Sequence, residues 1–128
     1  DVIQKLQQRA LPWSLSTLAS AIASELPKHR DEIHNDLLKN TARRENLTVL
    51  LEELKAEVWP SQSNFLLVDF KQDMTSIVRW LKTQGILVRT CTSFGLPPQF
   101  LRLGVKTETE NDVLISALKE GLAKYNAR

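Results

Sequence analysis

Residues 100–106 of the chain, FLRLGVK, alternate strictly: Leu101, Leu103 and Val105 fall on one side of an extended backbone, and Phe100, Arg102 and Gly104 fall on the other. A strand written this way buries one face and leaves the other for something polar. Any sheet that contains it is covered on one side only, and the covering elements must supply a matching apolar surface.

Helices that could do so are legible in the spacing of apolar residues. Leu15, Leu18, Ala19, Ile22, Ala23 and Leu26 form a helical stripe behind a serine cap at Ser14, with Pro27 as its stop. Residues 30–54 set Ile33, Leu37, Leu38, Ala42, Leu47, Leu50, Leu51 and Leu54 among charges, which predicts one long amphipathic helix. Asp73 caps a helix that turns Met74, Ile77, Val78 and Leu81 inward, and Gly85 sits where a C-terminal glycine stop belongs. Thr107 and Glu110 match a capping box ahead of a last helix with Val113, Leu114, Ala117, Leu118, Leu122 and Tyr125 on one side. Residues 58–60, 64–70, 86–90 and 100–106 read as extended, and residues 92–99, with Gly95, Pro97 and Pro98, read as a turn. The fold class that follows is α+β: a two-layer domain whose small, mainly antiparallel sheet is covered on one face by helices.

Composition narrows the setting. At 128 residues and 42% apolar, the chain can bury one core. Its 17 basic and 15 acidic residues contain no run of five like charges, which argues against nucleic acid as a partner. No apolar run is long enough to cross a bilayer, and the single cysteine, Cys91, cannot form an internal disulfide, so a cytoplasmic location away from membranes is expected. The sequence opens on Asp1 with no initiator methionine, and residues 1–9 (DVIQKLQQR) read as the end of a helix that began upstream. The expectation is a fragment of a longer protein.

Two arginines stand in otherwise apolar or small-residue strands. Arg102 shares its face with Phe100 and Gly104; Arg89, ending GILVR, shares its face with Leu87 and opposes Ile86 and Val88. A guanidinium is permanently charged, and its planar fork matches a carboxylate or phosphate. If the two strands pair with these faces aligned, both arginines reach one acidic group. A lone strand arginine is more often a solvent-facing residue, so the pair carries the expectation and neither member does alone.

Other candidate chemistry is weaker. Ser116 and Lys119 form S-x-x-K, but both lie on the polar side of the last helix and the S-D-N and K-T-G companions are absent. His29 and His34, five residues apart, fall on different helix faces and do not form H-E-x-x-H, so no metal site is expected. Cys91 has no histidine placed to activate it, and the four glycines form no phosphate-cradling loop. Trp13, Trp59 and Trp80 read as packing residues.

Taken in order, PWSLSTLA from Pro12, PSQSNFLLV from Pro60, GILVR from Gly85, FGLPPQFLRLGVKT from Phe94 and TEN from Thr109 spread over most of the chain. With them the chain resembles the small C-terminal domain of fold-type I pyridoxal phosphate enzymes, in the branch of histidinol phosphate aminotransferase and threonine phosphate decarboxylase. The resemblance implies the small-domain fold of aspartate aminotransferase-like enzymes. Residues 1–10 would be the end of a helix leaving a missing large domain, and residues 11–128 the substrate-orienting domain. Arg102, after the FGLP turn, would grip the acidic group of an amino acid or amino-phosphate substrate, Arg89 would face the same site, and Asn64 in PSQSNF would lie on the active-site side.

The resemblance also implies pyridoxal phosphate as the cofactor of the parent enzyme, a transaminase or decarboxylase that is a homodimer at full length. The cofactor's lysine, aspartate and phosphate anchors would belong to the N-terminal domain. This chain would then hold no catalytic and no cofactor-binding residue and be inactive alone. Ser16 stands where asparagine is frequent in these enzymes, which weakens that turn as a substrate contact. The CTSF stretch and the Val105-Lys106 pair tilt the likeness toward the decarboxylase branch. Trp13, Leu15 and Phe94 are expected to form an apolar patch that the large domain would cover. The alternative is a free-standing, non-enzymatic module whose arginines hold a small anionic effector.

Overall fold

The computed structural model describes residues 1–10 and 16–126. They form two compact units, residues 1–36 and 37–128. In the first, α1 (Val2–Gln7) is capped by Asp1, whose carboxylate accepts from the Ile3 N–H at 3.2 Å. α2 (Thr17–Glu25) is capped by Ser16, whose Oγ accepts from the Ala19 N–H at 3.1 Å. Ser14, expected in that role, lies outside the described residues, as do Trp13 and Leu15. A single 3₁₀ turn carrying Pro27 (Leu26–His29) ends α2 where expected and leads into α3 (Arg30–Glu53). None of the described residues of this unit is buried, so the stripe of Leu18, Ile22 and Leu26 is helical but uncovered.

The second unit contains the core. Its strands are β1 (Glu57–Val58), β2 (Phe65–Asp69), β3 (Arg89–Thr90) and β4 (Phe100–Gly104), in sheet order β1-β2-β4-β3 and antiparallel throughout. Cross-strand partners Leu66 with Leu103 and Val68 with Leu101 point to one face. There they join Leu47 and Leu51 of α3, Ile77, Trp80 and Leu81 of α4 (Thr75–Thr83), and Leu114, Ile115 and Leu118 of α5 (Glu108–Asn126) in one buried cluster. The helices and the small antiparallel sheet make the α+β architecture expected. No helix among the described residues is long and apolar enough to cross a membrane.

Local signals work as read. Asp73 Oδ1 accepts from the Thr75 N–H at 2.8 Å. Gly85 takes φ +77°, and the Ile86 N–H closes on the Leu81 carbonyl at 3.0 Å, which ends α4. Thr107 Oγ1 donates to Glu110 at 2.6 Å and accepts the Glu110 N–H at 3.3 Å, completing the capping box.

Four readings are corrected. The expected strand 86–90 pairs only at residues 89–90; Ile86 and Val88 pack against the core, Leu87 is 79% exposed, and the segment diverges from β4. The divergence opens a cavity of about 320 Å³ lined by Leu87, Leu103, Gly104, Asn111 and Leu114, among others, and neither arginine lines it. β4 ends at Gly104 instead of residue 106, because Asn111 closes on both the N–H and the carbonyl of Lys106 and turns the chain into α5. The inward stripe of α5 is Asn111, Leu114, Ile115, Leu118 and Gly121, while Val113 and Tyr125 are exposed. The helix is rotated so that Gly121 meets α4, where an added Cβ would stand 3.0 Å from the Trp80 ring and 3.1 Å from Ile77. Only the C-terminal half of the α3 stripe is covered; Ile33, Leu37 and Leu38 are exposed.

Candidate functional site

The register that buries the leucines also determines what the other face carries. Arg89 and Arg102 are direct Cα partners across β3 and β4, and Leu67 is the partner of Arg102 on β2. Directly opposite residues of an antiparallel pair share a face, so both guanidiniums stand on the open side of the sheet with Phe65, Leu67 and Phe100. Like charges placed directly opposite repel, and the usual remedy is a carboxylate between them. Among the described residues neither arginine has one. Arg89 Nη2 donates to Ser93 Oγ at 3.4 Å and its guanidinium lies 5.5 Å from the centre of the Phe94 ring. The Arg102 guanidinium lies 4.8 Å from the centre of the Phe65 ring.

Cys91 follows β3 and is buried. Burial pushes its thiol above the ordinary range, and the nearby Arg102 and Arg89 charges only partly pull it back. At 2% exposed, Cys91 packs as a small buried residue.

At the far end of the same face Asp69 is 4% exposed and fully hydrogen-bonded. Gln99 Nε2 donates to both carboxylate oxygens at 2.9 Å, the Lys71 N–H donates to Oδ1 at 2.7 Å, and Lys71 Nζ donates to Oδ2 at 2.9 Å and also pairs with Glu57. Burial alone would raise this carboxyl; the hydrogen bonds from Lys71 and Gln99 outweigh it and hold it below the usual range. Because Lys71 already compensates Asp69, that carboxylate does not neutralise the arginines. The Phe70 N–H bonds the Gln99 carbonyl at 3.1 Å and the Met74 N–H bonds the Pro98 carbonyl at 3.3 Å. The turn into β4 is thereby fixed on β2, which sets where Arg102 lands three residues later.

The remaining candidates scatter. Asn64, expected to open the strand, lies exposed just before β2; its carbonyl accepts from the Val105 N–H at 2.8 Å, and its side chain meets Ser63 Oγ at 3.4 Å. It stands next to Phe65 in sequence, and its side chain bonds neither arginine. Ser116 and Lys119 are exposed on α5, and His29 Nδ1 lies 3.0 Å from Glu32. Trp80 is buried, whereas Trp59 is half exposed, edge-on to Phe100 at 6.5 Å between ring centres. Of the expected apolar patch only Phe94 is described, and it is exposed. Phe65 and Ser93 were not singled out from the sequence, and Phe94 only as part of that apolar patch. Phe65 lies two residues before Leu67, but only the pairing with β4 brings its ring diagonally to Arg102.

Comparison with known proteins assigns this fold. The profile of the family described as aminotransferase class I and II matches residues 1–118. The histidinol-phosphate aminotransferase of Brevibacillus brevis is 31% identical over 120 residues, covering 94% of this chain and 33% of that protein. The histidinol-phosphate aminotransferase of Sinorhizobium meliloti, solved with pyridoxal-5'-phosphate, matches with a TM-score of 0.77 and 23% identity over 94% of this chain and 34% of that one. L-threonine-O-3-phosphate decarboxylase from Porphyromonas gingivalis matches with a TM-score of 0.78 and 22% identity over 94% of this chain and 38% of that one. At these identities the two structural likenesses are of fold. The chain spans about a third of the length of the curated relatives it matches. Because the family profile runs over nearly the whole chain, the chain belongs to the class I and II aminotransferase family.

Proposed function

We propose that the chain is the substrate-orienting C-terminal domain of a pyridoxal phosphate-dependent enzyme, and that Arg102, seconded by Arg89, holds the acidic group of an amino acid or amino-phosphate substrate. The observation that carries this reading is the pair itself: two guanidiniums directly opposite on an open sheet face, with no carboxylate between them among the described residues. Such a pair leaves forked donors free for a carboxylate or phosphate. Asn64, exposed just before β2, is the third candidate contact.

The cofactor itself does not fit onto these residues. It requires an amine that can be held uncharged and a cradle for its phosphate. Lys71, two residues past β2, moves the wrong way: the hydrogen bonds it donates to Glu57 and Asp69 raise its pKa and keep it cationic. The four glycines make no phosphate loop. In this proposal the cofactor's anchors lie in an N-terminal domain of a longer polypeptide, with a homodimer as the working enzyme. What this chain contributes is orientation. Fixing the substrate's acidic end selects which bond at its α-carbon is aligned for cleavage. Transamination is the better supported outcome, since the 31% relative is an aminotransferase while the decarboxylase shares the fold at 22%.

Kinetics of the longer enzyme test this. A charge-assisted hydrogen bond is worth about 1.5–3 kcal/mol, so Arg102→Ala is expected to lower kcat/KM by about tenfold to a hundredfold or more. Arg102→Lys recovers only part, because the ammonium lacks the fork. Cofactor absorbance stays unchanged in both. Unaltered kinetics in Arg102→Ala overturns the proposal.

A further inference from the structure

We propose that Phe65 and Phe94 are positioning residues of the arginine pair: each holds one guanidinium by its ring face, in the place where a carboxylate would neutralise it. The inference rests on the reading of Arg102 and Arg89 as anion ligands and deepens it.

Two facing cations need to be held, and a carboxylate would do so only by occupying the donors and competing with the ligand. A phenyl ring attracts the guanidinium through its quadrupole and leaves the N–H edge open. The distances of 4.8 Å for Arg102 over Phe65 and 5.5 Å for Arg89 over Phe94 lie within the range of that interaction. Neither ring serves the core, since Phe65 is 37% exposed and Phe94 59% exposed.

Each ring has its own support. Phe65 lies on the inner strand β2, and its Cα partner is Gly104, so no side chain faces it and the ring is free to lean to the diagonal residue, Arg102. Phe94 closes the 3₁₀ turn Thr92–Phe94, its N–H bonding the Cys91 carbonyl at 2.9 Å, and Gly95 leaves that turn at φ +79°. The same turn delivers the Ser93 hydroxyl to Arg89. A strand holds its residue more firmly than an exposed turn, so Phe65 is the stronger support and Arg102 the better seated of the two arginines.

The test uses the 128-residue chain in NMR, with inorganic phosphate as the probe and the arginine Nε–Hε signals as the readout. Ring-current displacement of the Arg102 side-chain protons is expected in the wild type and in Phe65→Tyr, and is expected to vanish in Phe65→Leu. Phosphate binding weakens about two- to fivefold in Phe65→Leu, is restored in Phe65→Tyr, and weakens less in Phe94→Leu. Amide spectra establish that each variant is folded; should Phe65→Leu unfold, the wild-type ring-current shift and Phe94→Leu decide. If Arg102→Ala weakens phosphate binding but Phe65→Leu equals the wild type, or the wild-type shift is absent, the positioning role is overturned and the anion reading stands. Equal phosphate binding by Arg102→Ala and the wild type overturns the anion reading instead.

Discussion

On one face of the sheet Leu66, Val68, Leu101 and Leu103 meet the three helices of the second unit and are almost wholly buried; on the other, Arg89 and Arg102 are exposed beside Phe65 and Leu67. Each buried leucine or valine contributes about 1.5–3 kcal/mol relative to exposure. The facing arginines contribute little to folding and oppose it through their mutual repulsion. One strand, β4, serves both faces by alternation, so the same five residues that close the core also aim Arg102 away from it. Stability and a poised double charge are thus separable by mutation, residue by residue.

The largest effect is expected on the closed face. Leu103→Ala should lower unfolding free energy by about 2–5 kcal/mol in urea titration, and a loss under about 1 would break the contrast between the faces. Next, Gly121→Ala sharpens it within the helical layer. Alanine improves helix propensity by about 1 kcal/mol, but its methyl would stand 3.0 Å from the Trp80 ring carbons, where overpacking costs about 1–3 kcal/mol. A net loss of stability is expected, and a gain would show that the ring yields freely.

A smaller, pH-dependent change belongs to Asp69. Its carboxyl titrates below the ordinary range, so its contribution is fully present at neutral pH and is lost as pH falls through the folded value, below about 4. The stability difference between wild type and Asp69→Asn should therefore shrink as pH drops from 5 toward 2; a difference constant over about that range would mean that the Lys71 and Gln99 bonds do not favour the ionised form. Smallest of all, Arg102→Ala should change stability by less than about 0.5 kcal/mol, because the lost ring contact is offset by relief of repulsion. A loss above about 1 kcal/mol would break the comparison by making the open face structural.

How much of this was legible follows from the range of the interactions. The capping box at Thr107 and Glu110 and the Gly85 stop each involve residues within five positions and formed as read, while Asp73 bonds the Thr75 N–H from one residue ahead of the N-cap, Met74. The alternation of residues 100–105 likewise sets Arg102 opposite Leu101 and Leu103 whatever the strand pairs with. The rotation of α5 was not legible, since stripes containing Val113 or Ile115 satisfy helical periodicity almost equally. Contact between Gly121 and Trp80, 41 positions apart, chose between them. The truncated β3 has the same cause: residues 86–88 are apolar enough for a strand, but Ile86 and Val88 are drawn to the helical core and away from β4.

The sequence by itself determined the fold class, the element order and the solvent-facing side of Arg102, because these rest on local backbone preference and on the period of apolar residues. Only the tertiary structure decided that Arg89 faces Arg102, that Phe65 and Phe94 lie under them, and that Gln99 locks onto Asp69 at the head of β4. Those contacts depend on strand register. In an antiparallel sheet register is set jointly by turn geometry and by residues up to 39 positions apart, as Phe65 and Gly104 are, which no local pattern encodes.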